Sequence, residues 1–312
     1  MNQTNAGSHR ADEIYRRGSE TLIAQSTTIL AGPISNYSQN VQLRSEGGAD
    51  SIPLRWVVSG VIDKPQTLKG QAPSGAVRFS RAEQSIVLPK DPSTADWESV
   101  YGELTLDGQV VIFFGDTSPE SILKVLPSGA GEENLIGLVK EIVQAQAIAD
   151  QSERVKRWLL SIKSCVSDEC RKAALRSFIA DRGEWPQLVP ILEQALSNSQ
   201  LSREFRAFGF NIVVYNVIQE KWGDSRDAVL AFLCRVFSNE LDPRLAIQYV
   251  YSLGLIFKFC DDEDFRSQRR SMRQRLESCF EQRRSLAAND NSAGNRNLEE
   301  QYQTLRAKYL QH

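Results

Sequence analysis

Histidine is nearly missing from this 312-residue chain: His9 and His312 stand at its two ends and none lies between. A nucleophile-histidine-acid triad therefore has no base, and no GxSxG string marks a strained nucleophile turn. With no CxxC pair either, the usual zinc ligand spacings are missing, and neither metal nor cofactor is expected. Long apolar runs are missing too. The longest, "FGFNIVVYNVI" at 208–218, is interrupted by Asn211 and Asn216 and is too short to span a bilayer, so it reads as a buried helix and no membrane insertion is expected. The opening "MNQTNAGSHRADEIYRRGSE" has no apolar centre, so neither a signal peptide nor an anchor is read there. As written the chain belongs in the cytoplasm, or in the periplasm or outside the cell if a leader preceded a new Met. An excess of one charge is also absent: 37 basic against 39 acidic residues give −2, so no global field draws the chain to nucleic acid or anionic lipid.

Five cysteines cannot all pair within one chain. Cys234, Cys260 and Cys279 lie among apolar residues in helical segments and read as small buried hydrophobes. Cys165 and Cys170, in "SCVSDEC", straddle a helix boundary where a turn can join them, provided the compartment is oxidising.

The composition that remains, 41% hydrophobic and 24% charged, is that of a folded globular chain long enough for two domains. Two halves differ in period. From about 20 to 115, short β-rich runs alternate with Gly, Pro, Ser and Asp: "TLIAQSTTILAG" (21–32), "PLRWVVSGVI" (53–62), "GAVRFS" (75–80), "SIVLP" (85–89), "YGELTL" (101–106) and "QVVIFF" (109–114). Asp107-Gly108 predicts a two-residue hairpin between the last two. So many strands in so short a stretch favour a small closed or nearly closed antiparallel barrel. The order "ETLIAQSTTILAG", "IPLRWVVSGVIDKPQTLKG", "GAVRFS", "YGELTLDGQVVIFF" resembles the OB-like barrel of the netrin-like, tissue-inhibitor type found in many bacterial secreted proteins, best at Leu68-Lys69-Gly70 and Gly108 to Phe114. The resemblance implies the barrel; the cysteines of the eukaryotic members have no counterpart here.

Residues 116–134 read as a linker, with Glu132 and Glu133 suited to a first helical turn. From 135 to 288 the period is helical. Asp168, Ser202 and Asp242 stand at cap positions, and Ala173, Ala207 and Ala246 follow them by five, five and four residues. Helix pairs at this spacing resemble HEAT-like repeats over about 168–284, the alternative being an irregular helical bundle. Trp185, Trp222, Phe205, Phe208, Tyr215, Tyr249 and Tyr251 are assigned to the core or to packing ridges. The fold class expected is thus α+β in two domains, an OB-like antiparallel barrel (20–115) and an α-helical repeat (135–288). A flexible start (1–19) and a tail (289–312) with one short amphipathic helix flank them.

Two surfaces suggest partners. The stretch 261–284, "DDEDFRSQRRSMRQRLESCFEQRR", begins with four acids and carries seven arginines. Acids at its start and Arg283 and Arg284 at its end suit the helix dipole, but Arg266, Arg269, Arg270 and Arg273 in its first half gain nothing from it. These four are the candidate partner-binding residues, suited to carboxylate or phosphate. "DDED" lacks the ligand alternation of a calcium loop. In the tail, Leu298, Tyr302, Leu305 and Tyr309 form an apolar stripe too short to be stable alone, which must pack on the last helices or be captured by another protein. Carboxylate pairing among Asp63, Glu98, Glu103, Asp107 and Asp116 is what a hydrolase would need. The expectation is a non-enzymatic protein-interaction or scaffold protein. The alternative is a nucleic-acid-binding accessory factor using the barrel and the arginine-rich helix, which the few strand aromatics disfavour.

Overall fold

The computed structural model describes residues 19–43, 51–71, 73–89, 109–115, 122–127, 135–218, 225–259, 263–286 and 293–307. The chain divides into two compact units, one running to Asp150 and one from Gln151.

In the first unit a helix α1 (Ser19–Gln25) leads into β1 (Thr28–Leu43), followed by β2 (Ser51–Ile62), β3 (Gln66–Lys69), β4 (Val77–Pro89), β5 (Gln109–Phe114), β6 (Ile122–Pro127) and helix α2 (Leu135–Gln146). Every pairing is antiparallel, in the order β4-β2-β1-β5-β6, with β3 also on β1. The long β1 serves two sheets: Thr28 to Pro33 pair with β5, and Ile34 to Leu43 pair with β2. Between them the register shifts at Ser35 to Ser38, where Asn36 takes a left-handed φ of 49°, and the extra residue bends the strand. That bend curls the sheet. Inside the curl Leu30, Ile62, Phe79, Val110, Ile112, Phe114, Ile122 and Val125 form one apolar cluster.

Strand β5 is buried on both faces, since Val111 and Phe113 are as inaccessible as their neighbours. A strand with two buried faces reads as a continuous apolar run, which is why "QVVIFF" does not alternate. Lys69 donates to the Ile23 carbonyl at the end of α1 over 2.6 Å, and partial burial holds its ammonium pKa below the usual lysine value. Gly70 follows with φ +80°, and a Cβ there would stand 2.5 Å from the Thr27 carbonyl oxygen. The Lys-Gly pair thus fastens the helix to the strands beneath it.

Three expectations change here. Residues 19–25 are helix, so the first strand starts only at Thr28. "GAVRFS" and "SIVLP" belong to one long strand, β4, because Ser80 to Ser85 continue its pairing with β2. The linker expected at 116–134 contains β6, paired to β5, and α2 belongs to the first unit. The Asp107-Gly108 turn and "YGELTL" lie outside the described residues.

The second unit consists of helices α3 (Gln151–Ser164), α4 (Asp168–Ala180), α5 (Trp185–Leu196), α6 (Arg203–Ile218), α7 (Arg226–Ser238), α8 (Pro243–Phe259), α9 (Glu263–Leu286) and α10 (Ala293–Leu305). Alternate helices stack: α4 on α6, α6 on α8 and α8 on α10 form one layer, and α3 on α5, α5 on α7 and α7 on α9 form the other. A residue one helix pair later therefore meets its counterpart. Phe210 of α6 stacks on Tyr249 of α8 with ring centroids 3.9 Å apart, and Trp185 of α5 meets Phe232 of α7 edge to face at 5.1 Å.

The caps follow the same repeat. Ser202 accepts from the Phe205 amide at 3.0 Å and Asp242 from the Arg244 amide at 3.0 Å, as their spacing predicts. At α4 the cap is Ser167 rather than Asp168, which as first helical residue pairs with Arg171 and receives the Ser202 hydroxyl. Of the three alanines, Ala173 and Ala246 are buried and Ala207 only half so; Gly209 makes the close approach in α6, where a Cβ would stand 2.8 Å from Leu196. Two disulfides fix this unit. Cys165–Cys170 closes the turn between α3 and α4, and Cys234–Cys279 joins α7 to α9 with Cα atoms 5.6 Å apart. Cys234 and Cys279 are buried as expected, but they are bonded rather than free.

Candidate interaction surfaces

Along the end of the layer where α4, α6 and α8 begin, ion pairs join each helix to the next. Lys172, 3% exposed, pairs with Glu169 at 2.8 Å and with Glu204. Burial pulls its pKa down, but the two carboxylates outweigh burial and hold it above the usual lysine value. Arg203 pairs with Asp242, and the buried Arg206 pairs with the buried Glu240 while donating to the Leu196 carbonyl at 2.7 Å. These groups satisfy one another and belong to the scaffold.

The outward face of α6 and α8 is different. Asn211 and Ser252 hydrogen-bond across the two helices; Tyr215 follows Asn211 by one turn on α6, and Tyr251 and Leu255 stand one residue before and three after Ser252 on α8. Tyr215 is 54%, Tyr251 57% and Leu255 42% exposed. Single exposed apolar side chains are ordinary, but three on two neighbouring helices, near one inter-helix hydrogen bond, make a candidate strip. The Tyr251 hydroxyl donates to Gln301 of α10 over 2.6 Å, so its ring is held in place while its face stays in solvent. At the other end of the strip, the half-buried Phe208 lies beneath the Arg176 guanidinium, 5.2 Å from the ring centroid.

The sequence missed this strip by assigning both tyrosines to the core or to packing ridges. Trp185, Phe205 and Tyr249 are buried as expected. The signal lay in the polar residues: Arg244 and Gln248 define the wet side of α8, and 251 and 255 continue that line at helical spacing.

The second surface is α9. Arg270 is exposed and Arg273 half-buried, with its Nε buried and without an acceptor among the described residues. For Arg266 and Arg269 the structure gives only their backbone positions, within an arc of about 100° that also holds 270 and 273. The tail stripe is used within the chain: Leu298, Tyr302 and Leu305 are buried. Tyr302 stacks on Phe280 of α9 at 3.8 Å, Gly254 of α8 leaves room for Leu305, and Glu299 pairs with Arg284 at 2.5 Å. Glu299 is thereby held below the usual carboxylate range, foremost by the Arg284 hydrogen bond. Tyr309 lies outside the described residues.

Among the carboxylates considered for hydrolysis, Asp63 accepts from Ser35 at 2.7 Å on the outside of the sheet; Glu98, Glu103, Asp107 and Asp116 lie outside the described residues. No cluster of three or more metal-ligating side chains occurs among the described residues, and no described helix is long and apolar enough to cross a membrane. Comparison with family models, with curated proteins and with solved structures found no match to this chain.

Proposed function

We propose that the protein is a non-enzymatic interaction protein whose helical unit docks a protein partner, and that Tyr215, Tyr251 and Leu255 are the centre of the docking surface. The observation carrying this reading is that three large apolar side chains stand exposed on two adjacent helices, one of them fixed by a hydrogen bond. Tyrosine suits such a role because its ring contributes contact area at little conformational cost and its hydroxyl stays satisfied at a wet rim. Stacked helix pairs with matching caps support a HEAT-like scaffold for that surface, since each pair presents the same face as the last. A curled sheet with a shared first strand supports an OB-like, partly open barrel in the first unit.

Two disulfides support a working compartment that is oxidising, periplasmic or extracellular, over the cytoplasm. The nucleic-acid reading has the barrel type in its favour, but no aromatic platform among the described outer residues of the sheet accompanies it. The deciding experiment is co-purification from the source cells with wild type and a Tyr215→Ser/Tyr251→Ser variant, with protein and nucleic acid both quantified. A stoichiometric protein partner lost only in the variant supports the reading. The same proteins in both samples, or nucleic acid alone, would overturn it.

A further inference from the structure

The five arginines of α9 whose side chains are described differ in their company, although Arg283 as well as Arg273 keeps a buried Nε without an acceptor among the described residues. In the second half of α9 each has found a partner. Arg275 donates to the Asp227 carbonyl at 2.9 Å, the buried Arg283 reaches Asn295 of α10 at 3.4 Å, and Arg284 sits between Glu281 at 2.9 Å and Glu299 at 2.5 Å. The acids of that half are taken as well, since Glu277 faces Arg306 at 3.8 Å. In the first half, Arg270 and Arg273 have no ion pair or hydrogen bond to any described residue, although Glu277 is only one turn beyond Arg273. Leaving a guanidinium Nε buried without an acceptor is costly, and the cost is recovered when a ligand oxygen arrives.

Among the described residues, the register of the layer accounts for this difference. Helix α9 lies on α7 from Arg275 beside Asp227 to Cys279 bonded to Cys234, and α7 begins only at Arg226. Residues 263–272 therefore precede the stretch that α7 accompanies. Positions 266, 269, 270 and 273 share one arc there, which Leu276 and Phe280 continue as a buried face in the second half of the helix.

We infer that this half of α9 binds a carboxylate-rich segment of the partner protein. The inference rests on the reading that the helical unit docks a protein, and it names the chemistry of a second contact with that partner. Arginine forks match carboxylates two bonds at a time, and charge complementarity on an otherwise balanced chain gives the contact its selectivity. Phosphate of a nucleic acid is the less suitable occupant: no glycine, tryptophan or tyrosine stands among these arginines, and the net charge of −2 provides no long-range attraction for a polyanion.

The test uses the full chain and two probes, a decaglutamate peptide and an oligothymidylate of equal charge, titrated by fluorescence anisotropy over a range of salt. An Arg270→Gln/Arg273→Gln variant is compared with a Lys140→Gln/Lys163→Gln variant, which removes the same charge from exposed sites elsewhere. Decaglutamate should bind wild type and the lysine variant alike, weaken with salt, and bind the arginine variant at least about tenfold less tightly. Equal weakening in both variants, no decaglutamate binding by wild type, or tighter binding of the oligothymidylate lost in the arginine variant would each overturn the assignment. A protein partner still lost in the Tyr215→Ser/Tyr251→Ser variant would show that the docking reading survives such a failure.

Discussion

The indole Nε1 of the buried Trp158 donates to Asp181 Oδ2 at 2.7 Å, and Arg154 grips both oxygens of the same carboxylate at 2.7 and 3.0 Å. Burial alone would raise the Asp181 pKa, but the hydrogen bonds from Arg154 and Trp158 prevail and hold it below the usual carboxylate value. A carboxylate with a depressed pKa stabilises the fold fully above its unfolded value, near 4, and that stabilisation is lost as pH falls through the folded value. Asp181→Ala, which also orphans the indole N–H, should cost about 2 to 4 kcal/mol in urea unfolding at pH 7. Asp181→Asn should flatten the loss of stability below about pH 4; an unchanged acid limb would mean that the pairing is not made.

Five cysteines less the four that are paired leaves one thiol, Cys260. Alkylation of the oxidised protein under denaturing, non-reducing conditions should therefore add one label per chain, and three or five labels would contradict the pairing. The two bonds differ in the loops they close, with separations of 45 and 5 residues. By chain entropy, Cys234→Ser/Cys279→Ser should cost about 4 kcal/mol and Cys165→Ser/Cys170→Ser about 2.

The C-terminal helix is attached through its own stripe. Tyr302→Ala removes the ring stacked on Phe280 and should cost about 3 kcal/mol. Hydrogen exchange should then show the amides of 293–305 losing protection before those of α6 and α8. Unchanged protection there would mean that Leu298 and Leu305 suffice to hold the helix.

Two buried polar groups, Tyr249 on α8 and Glu240 just before it, should respond in opposite ways. The Tyr249 hydroxyl is buried without a hydrogen-bond partner among the described residues, and its pKa is raised, foremost by burial and then by the charge of Glu240. Tyr249→Phe should be neutral or stabilise by about 1 kcal/mol, because only an unsatisfied hydroxyl is removed. Glu240→Ala leaves Arg206 buried without its counter-ion and should cost about 3 to 5 kcal/mol. Thermal and urea unfolding of the two variants compare them directly.

Much of the architecture was legible because it rests on local rules. Ser202 and Asp242 announced helix starts by cap chemistry, and the change of period after 134 separated strands from helices. Tertiary context hid the rest. "ETLIAQ" is apolar at strand-like spacing but forms a helix whose end Lys69 caps, 46 residues away in sequence. The Cys234–Cys279 bond spans 45 residues that no local pattern connects. For Leu298, Tyr302 and Leu305 the sequence left open packing on the last helices or capture by another protein, because it does not show that Phe280 and Gly254 wait to receive them. Tyr215 and Tyr251 were read as core or packing ridge on residue type, whereas their helical position set them outward.

The most direct measurement on the central claim is peptide-level hydrogen exchange, with side-chain oxidative footprinting, of the helical unit's partner complex against the free protein. The account predicts slowed exchange over 208–218 and 244–256 and reduced oxidation of Tyr215 and Tyr251 in the complex. Protection confined to β2 and β4, with both tyrosines as reactive as in the free protein, would contradict it.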